Sequence, residues 1–131
     1  MEETFRELRA LMLETAKGMI VAKDGPGGLV LHAPIPHPWD PGKPMWFGAV
    51  QPMKNYVSYH LMPVYASPAL LAAMSPELKK RMQGKSCFNF KAPDEALFTE
   101  LAALTAAGAE VFSKPLQVTK GKRTTKPGAA G

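Results

Sequence analysis

Hydrophobic and polar residues alternate along the central part of the chain in the pattern of a β-strand with two different faces. The clearest case is residues 56–62, Tyr-Val-Ser-Tyr-His-Leu-Met, because successive side chains of a strand point to opposite sides of its sheet. Shorter apolar or alternating runs predict further strands at residues 19–22, 29–33, 45–50 and 86–91. The first two flank a segment rich in Asp and Gly, which predicts a β-hairpin.

Helical periodicity occurs near both ends of the chain. Residues 3–17 place apolar side chains at steps of three and four, and Gly18 follows as a helix stop. A second such segment begins after Asp94, a good N-cap residue, and continues to Phe112. Between the strands, Ser67-Pro68 and Ser75-Pro76 predict two short helices, and Gly84 ends the second.

This order of elements predicts an α+β fold with two layers. An antiparallel sheet of about five strands has to cover its apolar face, and the N- and C-terminal helices are the long amphipathic elements that can do so. Residues 34–44 contain five prolines. Because proline lacks an amide donor, this segment is predicted to be an ordered loop or an edge segment.

The charge is unevenly distributed and divides the chain into two parts. Residues 1–113 hold all eleven acidic residues and an equal number of basic ones, so the formal net charge of +5 lies in residues 114–131. We therefore predict a single neutral domain over residues 1–113. Residues 114–131 are predicted to be a basic, disordered tail, because their composition cannot bury enough apolar surface.

The composition favours a cytoplasmic protein that does not enter a membrane. No run approaches the roughly 18 apolar residues of a membrane helix, and the N-terminus is acidic where a signal peptide would be basic. Cys87 is the single cysteine, so an intrachain disulfide cannot form.

Two segments carry a resemblance to a known family. Residues 56–65, Tyr-Val-Ser-Tyr-His-Leu-Met-Pro-Val-Tyr, and residues 75–90, Ser-Pro-Glu-Leu-Lys-Lys-Arg-Met-Gln-Gly-Lys-Ser-Cys-Phe-Asn-Phe, resemble the YdhG-like family of small bacterial domains. The resemblance is most specific between about Met45 and Phe112. It implies a frataxin-like α/β fold. It also implies a link to iron handling, although the relatives with that role rely on acidic clusters that this chain lacks.

The polar face of strand 56–62 is the first candidate site. Tyr56, Ser58 and His60 would share one face, which is either a solvated surface or the wall of a ligand pocket. If strands 56–62 and 86–91 are parallel neighbours, Lys54 and Lys85 reach the same end of the sheet and form a site for a small anion. If the strands are antiparallel, the two lysines are ordinary solvated charges. The predicted ligand-binding residues are Lys54, Tyr56, Ser58, His60, Tyr65, Lys85 and Ser86.

Catalytic and metal chemistry receive less support from the sequence. Cys87 could be a nucleophile with His60 as its base, but no catalytic spacing is present, and a half-buried strand cysteine is favoured. His32, His37 and His60 are scattered rather than spaced as ligands, so no metal site and no cofactor are predicted.

Several basic residues lie close together between Glu77 and Asp94. They are Lys79, Lys80, Arg81, Lys85 and Lys91. Together with the tail they could bind nucleic acid weakly and without sequence preference, although a solvated surface is the simpler interpretation.

The function we expect is therefore a cytoplasmic domain that binds a small molecule, such as an anion, or a protein partner, and that is not an enzyme. Iron or metal handling and weak binding of nucleic acid are the alternatives.

The predicted tail leads to a first test. Deleting residues 115–131 should leave the melting temperature unchanged, because they lack apolar periodicity and so add little to a core. Any weak binding of DNA or RNA by the full chain should disappear in the deleted form. A clear fall in melting temperature would contradict the prediction, and retained nucleic-acid binding would point to the Lys79 to Lys91 cluster.

Overall fold

The computed structural model describes residues 1–115 and contains five helices and five strands in this part of the chain. The helices are α1 (Glu2–Thr15), α2 (Met62–Ala66), α3 (Pro68–Ala72), α4 (Pro76–Lys79) and α5 (Glu95–Val111). The strands are β1 (Ile20–Gly25), β2 (Gly28–Pro36), β3 (Pro44–Pro52), β4 (Val57–Leu61) and β5 (Cys87–Phe90).

The strands form one sheet in the order β1-β2-β3-β4-β5, and every neighbouring pair is antiparallel. Each strand therefore lies beside the strand that precedes it in the chain. Helices α1 and α5 contact each other and cover one face of this sheet. The predicted α+β class, with two layers and terminal helices on an antiparallel sheet, is confirmed.

The hydrophobic core lies between the sheet and the two long helices. The apolar positions predicted for α1 supply Leu8 and Met12, which are both fully buried, and Gly18 follows with a left-handed backbone, φ 82°. In α5, Phe98 packs edge-on against Phe90 with ring centroids 5.0 Å apart. The largest fully buried side chains are Tyr59, Phe47, Phe88, Phe90, Phe112, Leu8, Met12, Leu29, Leu31, Leu61, Leu78 and Leu101.

A buried hydrogen bond joins the sheet to α5. The hydroxyl oxygens of Tyr59 and Thr105 are 2.6 Å apart, and the Thr105 hydroxyl donates to the carbonyl of Leu101 at 2.8 Å. Because the single hydroxyl proton of Thr105 is used in that bond, the Tyr59 hydroxyl is the donor to Thr105. Burial raises the pKa of Tyr59 well above its usual value, so the phenol stays protonated and keeps this role.

Side-chain caps mark the starts of two of the described helices, α4 and α5. The Asp94 carboxylate accepts a hydrogen bond from the Leu97 amide at 3.0 Å, and the Ser75 hydroxyl accepts one from the Leu78 amide at 3.1 Å. Ser67, by contrast, precedes α3 without a side-chain capping bond. Two of the three predicted caps are therefore confirmed.

The structure corrects the predicted elements in three places. Helix α4 ends at Lys79 and not at Gly84, because residues 81–83 are extended and pair with β5. Helix α2 begins at Met62, directly after β4, where the sequence pattern predicts only the end of a strand over residues 56–62. Pro63 is well tolerated in the first helical turn, because its missing amide would be unpaired there. Strand β2 continues into the proline-rich segment as far as Pro36, and β3 begins at Pro44. The ordered loop is therefore limited to residues 37–43.

The predicted basic tail lies outside the described residues, apart from Lys114 and Pro115. Among residues 1–115, no helix is long and apolar enough to cross a membrane.

One glycine lets the sheet approach α1 closely. A methyl group built on Gly48 would lie 2.6 Å from the His60 carbonyl oxygen and 2.9 Å from the Met12 Cε atom. The first of these contacts is with a neighbouring strand and cannot be relieved by rotating a side chain. Gly48 is therefore required by the spacing between β3, β4 and α1.

We predict that Gly48→Ala lowers the free energy of unfolding by about 1–3 kcal/mol, the usual effect of overpacking. Gly27→Ala is the matched control, because a methyl group there meets nothing within 4 Å. The measurement is urea unfolding of both variants. Equal stability of the two would contradict the close approach at Gly48.

Candidate functional site

The face of the sheet opposite the helices carries polar and aromatic side chains. Ser58 is paired with Gln51 on one side and Asn89 on the other, and His60 is paired with Ala49 and Cys87. The alternation of β4 places Ser58 and His60 on this face, since the intervening Tyr59 faces α5. We call it the open face. The predicted sharing of one face by Ser58 and His60 is confirmed.

The proposed meeting of Lys54 and Lys85 is wrong, because it required parallel strands. Strands β4 and β5 are antiparallel, with Val57 opposite Phe90 and His60 opposite Cys87. Lys54 precedes β4 and Lys85 precedes β5, so the two lysines lie at opposite ends of these strands. A small anion therefore cannot bridge the two ammonium groups.

The other predicted residues divide between the same two ends. Tyr56 lies at the Lys54 end, while Tyr65 and Ser86 lie at the Lys85 end beside His60. The Lys85 ammonium stands 5.6 Å from the centre of the Tyr65 ring, and the Ser86 carbonyl accepts a hydrogen bond from the Leu61 amide at 2.8 Å. The seven predicted residues are therefore not one site.

Cys87 lies at the centre of a short polar network on the open face. Its sulfur is 3.0 Å from the Ser58 hydroxyl oxygen and 3.6 Å from the Asn89 Oδ1 atom. Ser58 is buried, with 3% of its surface exposed, so this bond satisfies a hydroxyl that would otherwise be costly to bury. Cys87 itself is half-buried, as the sequence predicted.

His60 presents a neutral ring to the open face. Its Nδ1 atom is buried and, within the described residues, has no hydrogen-bond partner, while the residue as a whole is only half-buried. The ring packs against Trp46 with centroids 5.4 Å apart. Burial lowers the pKa of His60 below its usual value of 6.5, because protonation would bury an unpaired charged N–H group.

A short extended segment lies along the outer edge of β5. The Asn89 amide donates to the Arg81 carbonyl at 2.9 Å, the Gln83 amide donates to the Cys87 carbonyl at 2.8 Å, and Met82 forms a bridge with Phe88. Met82 is therefore level with the buried Phe88, and the alternation turns Arg81 and Gln83 toward the open face.

These side chains line a basic cleft at the β5 edge of the open face. Its volume is about 220 Å³, and its lining residues are Tyr56, Lys80, Arg81, Gln83, Asn89 and Lys91. Three of the six are cations, and the other three can donate hydrogen bonds. Asn89 belongs both to this basic cleft and to the Cys87 network, so the two features are continuous.

Hydrogen bonds to α5 fix the segment that supplies these cations. The Glu100 carboxylate accepts one bond from the Ser75 amide at 2.7 Å and another from the Ser75 hydroxyl at 2.6 Å. Because Ser75 caps α4, these bonds attach the start of α4 to α5. Lys80 and Arg81 follow immediately after α4 and are thereby held near β5.

Two other cavities have a different electrostatic character. One of about 380 Å³ adjoins Lys80 and Arg81 but also contains Glu77 and Asp94, whose carboxylates repel an anion. A groove of about 550 Å³ between α1 and α5 is acidic. It is lined by Glu7, Ala10, Leu11, Glu14, Thr15, Pro93, Glu95, Phe98 and Thr99.

The metal-handling alternative would need carboxylates, histidines or thiols that converge on one point. Within residues 1–115, no group of three or more such side chains is close enough to hold a metal ion. The scattered histidines His32, His37 and His60 are therefore not part of such a group.

Sequence reasoning identified Tyr56 but not the partners that surround it. For the cations Lys80, Arg81 and Lys91 the sequence predicts only a solvated or nucleic-acid-binding cluster. The alternation Arg81-Met82-Gln83 around an apolar residue is the signal that could have indicated an extended segment, but it is only three residues long.

Comparisons of the chain with protein-family models, with curated proteins and with solved structures give no match. The resemblance to the YdhG-like family stays a prediction.

The lowered pKa of His60 predicts how stability depends on pH. Below about pH 6.5 the unfolded chain binds a proton at His60 more readily than the folded chain, so stability is lost as the pH falls. Between pH 7.5 and pH 5.5, about one unit above and below the usual histidine pKa of 6.5, the wild type should lose more unfolding free energy than His60→Gln. Urea unfolding across this range measures the difference, and parallel curves would contradict it.

Proposed function

We propose that the protein is a binding domain for a small anionic ligand, that the ligand's negatively charged group occupies the basic cleft, and that the protein is not an enzyme. Ligand binding is the function expected from the sequence, but the proposed site is a different one. It combines Tyr56 with the cations of the basic cleft in place of Lys54 and Lys85. A reducing compartment such as the cytoplasm suits the free thiol of Cys87.

The observation that carries the proposal is the convergence of three cations on one concave surface. Lys80 and Arg81 arrive from the end of α4, and Lys91 arrives from the end of β5. These are separate segments, so the cluster is a product of the fold and not of sequence proximity. Among residues 1–115, the ion pairs of the molecule join other residues, Arg9 with Asp24 and Lys43 with Asp40. The charges of the basic cleft therefore remain available to a ligand.

The chemistry of the cleft suits a phosphate, sulfate or carboxylate group. The guanidinium of Arg81 can donate two parallel hydrogen bonds to two oxygens of one anion, and the lysines add mobile point charges. The three cations are exposed to solvent, where water screens each contact. We therefore expect weak binding of an inorganic anion, with a dissociation constant on the order of 1 mM, which corresponds to about 4 kcal/mol.

The hydrogen bonds made by the Cys87 thiol favour a binding protein over an enzyme. The sulfur of Cys87 is held by Ser58 and Asn89, whereas a nucleophilic cysteine needs a base within hydrogen-bond reach to activate it. The neutral ring of His60 packs on Trp46 instead.

The test is a titration of the full chain with inorganic phosphate, followed by amide NMR shifts and by calorimetry. We expect shifts at Tyr56, Gln83 and Asn89. Arg81→Ala and Lys80→Ala should each weaken binding about three- to fivefold, because one exposed charge contact contributes up to about 1 kcal/mol.

Lys85→Ala is the matched control. It removes the same charge from the same stretch of sequence, but at the other end of β5, so phosphate binding should not change. An equal loss in Lys85→Ala and Arg81→Ala would show that only the net charge matters and would refute the site. Binding of a single-stranded oligonucleotide with a steep salt dependence, without any binding of phosphate, would favour the nucleic-acid alternative instead.

A further inference from the structure

The basic cleft has a neighbouring cavity with a different electrostatic character. This second cavity, of about 380 Å³, lies between the end of α4 and the start of α5, and Lys80 and Arg81 line both cavities. The backbone of Arg81 is fixed there, because its amide donates to the Leu78 carbonyl at 3.0 Å and its carbonyl accepts from the Asn89 amide at 2.9 Å. A ligand in the basic cleft can therefore extend past these two residues into the second cavity.

The second cavity contains both signs of charge, and we call it the mixed-charge cavity. Glu77 and Asp94 line it with two carboxylates, in addition to the two cations that it shares with the basic cleft. Within residues 1–115 neither carboxylate belongs to an ion pair, since the ion pairs of this part of the chain join other residues. Glu77 is exposed and Asp94 is half-buried. Both carboxylates are therefore accessible to a positively charged group of a ligand.

Asp94 can bind a cation and still cap α5. Its Oδ1 atom accepts the hydrogen bond from the Leu97 amide at 3.0 Å. An ionised carboxylate has about four lone-pair positions on its two oxygens, so this one bond leaves positions for a ligand. The Leu97 amide contacts the same carboxylate and is therefore a reporter of any cation that binds to it.

The basic cleft and the mixed-charge cavity are close enough for one small molecule. Lys91 lines the first and Asp94 lines the second, and their Cα atoms are at most about 11 Å apart, because they are three residues apart in the chain. The carboxylates of the mixed-charge cavity repel a phosphate group. The anionic group of a ligand is therefore expected in the basic cleft, which leaves the carboxylates for a cationic group.

We infer that the ligand is a small zwitterion, with its phosphate or carboxylate in the basic cleft and an ammonium group at the carboxylates of Glu77 and Asp94. This inference rests on the proposed function and names the ligand class. A purely anionic ligand leaves the two carboxylates without a partner, and a purely cationic ligand is repelled by Lys80 and Arg81. A molecule with both charges gains a favourable contact at each end.

The experiment titrates the full chain with pairs of phosphate esters that differ by one ammonium group. The pairs are 2-aminoethyl phosphate with ethyl phosphate, and 4-aminobutyl phosphate with butyl phosphate. In calorimetry, the aminoalkyl ester of at least one pair should bind about three- to fivefold more tightly than its alkyl counterpart, which is the range of one exposed charge contact. In the NMR spectrum, the Leu97 amide should shift with that aminoalkyl ester and not with the alkyl ester.

Two conservative substitutions remove the carboxylates. Glu77→Gln keeps the size of the side chain, and Asp94→Asn keeps a good N-cap for α5. Each should reduce the advantage of the aminoalkyl ester, and the double variant should abolish it while the alkyl ester still binds. Glu95→Gln is the matched control, because it removes the same charge from the residue next to Asp94. Glu95 lines the groove between α1 and α5 instead, so the advantage should not change.

The outcomes distinguish this inference from the proposed function. If the alkyl esters bind but neither aminoalkyl ester binds more tightly, the ammonium site is wrong and the proposed function stands. The same conclusion follows if the double variant retains the full advantage, or if Glu95→Gln loses as much of it as Asp94→Asn. If none of the esters binds, or if Arg81→Ala binds all of them as tightly as the wild type, the anion site is wrong and this inference fails with it.

Discussion

The hydrogen bond from Tyr59 to Thr105 is the interaction on which the arrangement of the site depends. It joins β4, an interior strand of the sheet, to α5 inside the core, where a lost partner would leave a buried hydroxyl unpaired at a cost of about 1–3 kcal/mol. Helix α5 in turn carries Glu100, whose carboxylate accepts two hydrogen bonds from Ser75 and so fixes the start of α4. The end of α4 then delivers Lys80 and Arg81 to the edge of β5. A contact on the buried side of the sheet thus determines where the cations stand on the other side.

Much of this fold could be predicted because its signals are local. The alternation in residues 56–62, the Asp94 cap and the glycine at position 18 each depend on neighbours within a few residues. Local patterns also predict which elements form the second layer, because only α1 and α5 have long apolar stripes. The same reasoning places Tyr59 on the opposite face of the sheet from Ser58 and His60, because successive side chains of a strand alternate between its two faces.

The site could not be assembled in this way, because it depends on pairing between distant segments. Whether Lys54 and Lys85 meet is decided by the direction of β5 relative to β4, and an alternating pattern is the same when it is read in either direction. The contact between residues 81–83 and β5 is also invisible locally, since three residues are too few to establish a period. In the sequence, Lys80, Arg81 and Lys91 therefore cannot be distinguished from ordinary surface charges. The pairing of residues 81–83 with β5 is what places them around one cleft.

Strand β4 contributes to stability with one face and to the candidate site with the other. Val57, Tyr59 and Leu61 are fully buried beneath the helices, so their substitution acts first on folding. Tyr56 and His60 are only half-buried, and their loss removes much less packing. Ser58 is the exception, because its hydroxyl is buried on the open face and is held by Cys87. This bond satisfies a hydroxyl that would be costly to bury unpaired, so Ser58 contributes to the stability of β4 although it lies directly opposite Asn89 of the basic cleft.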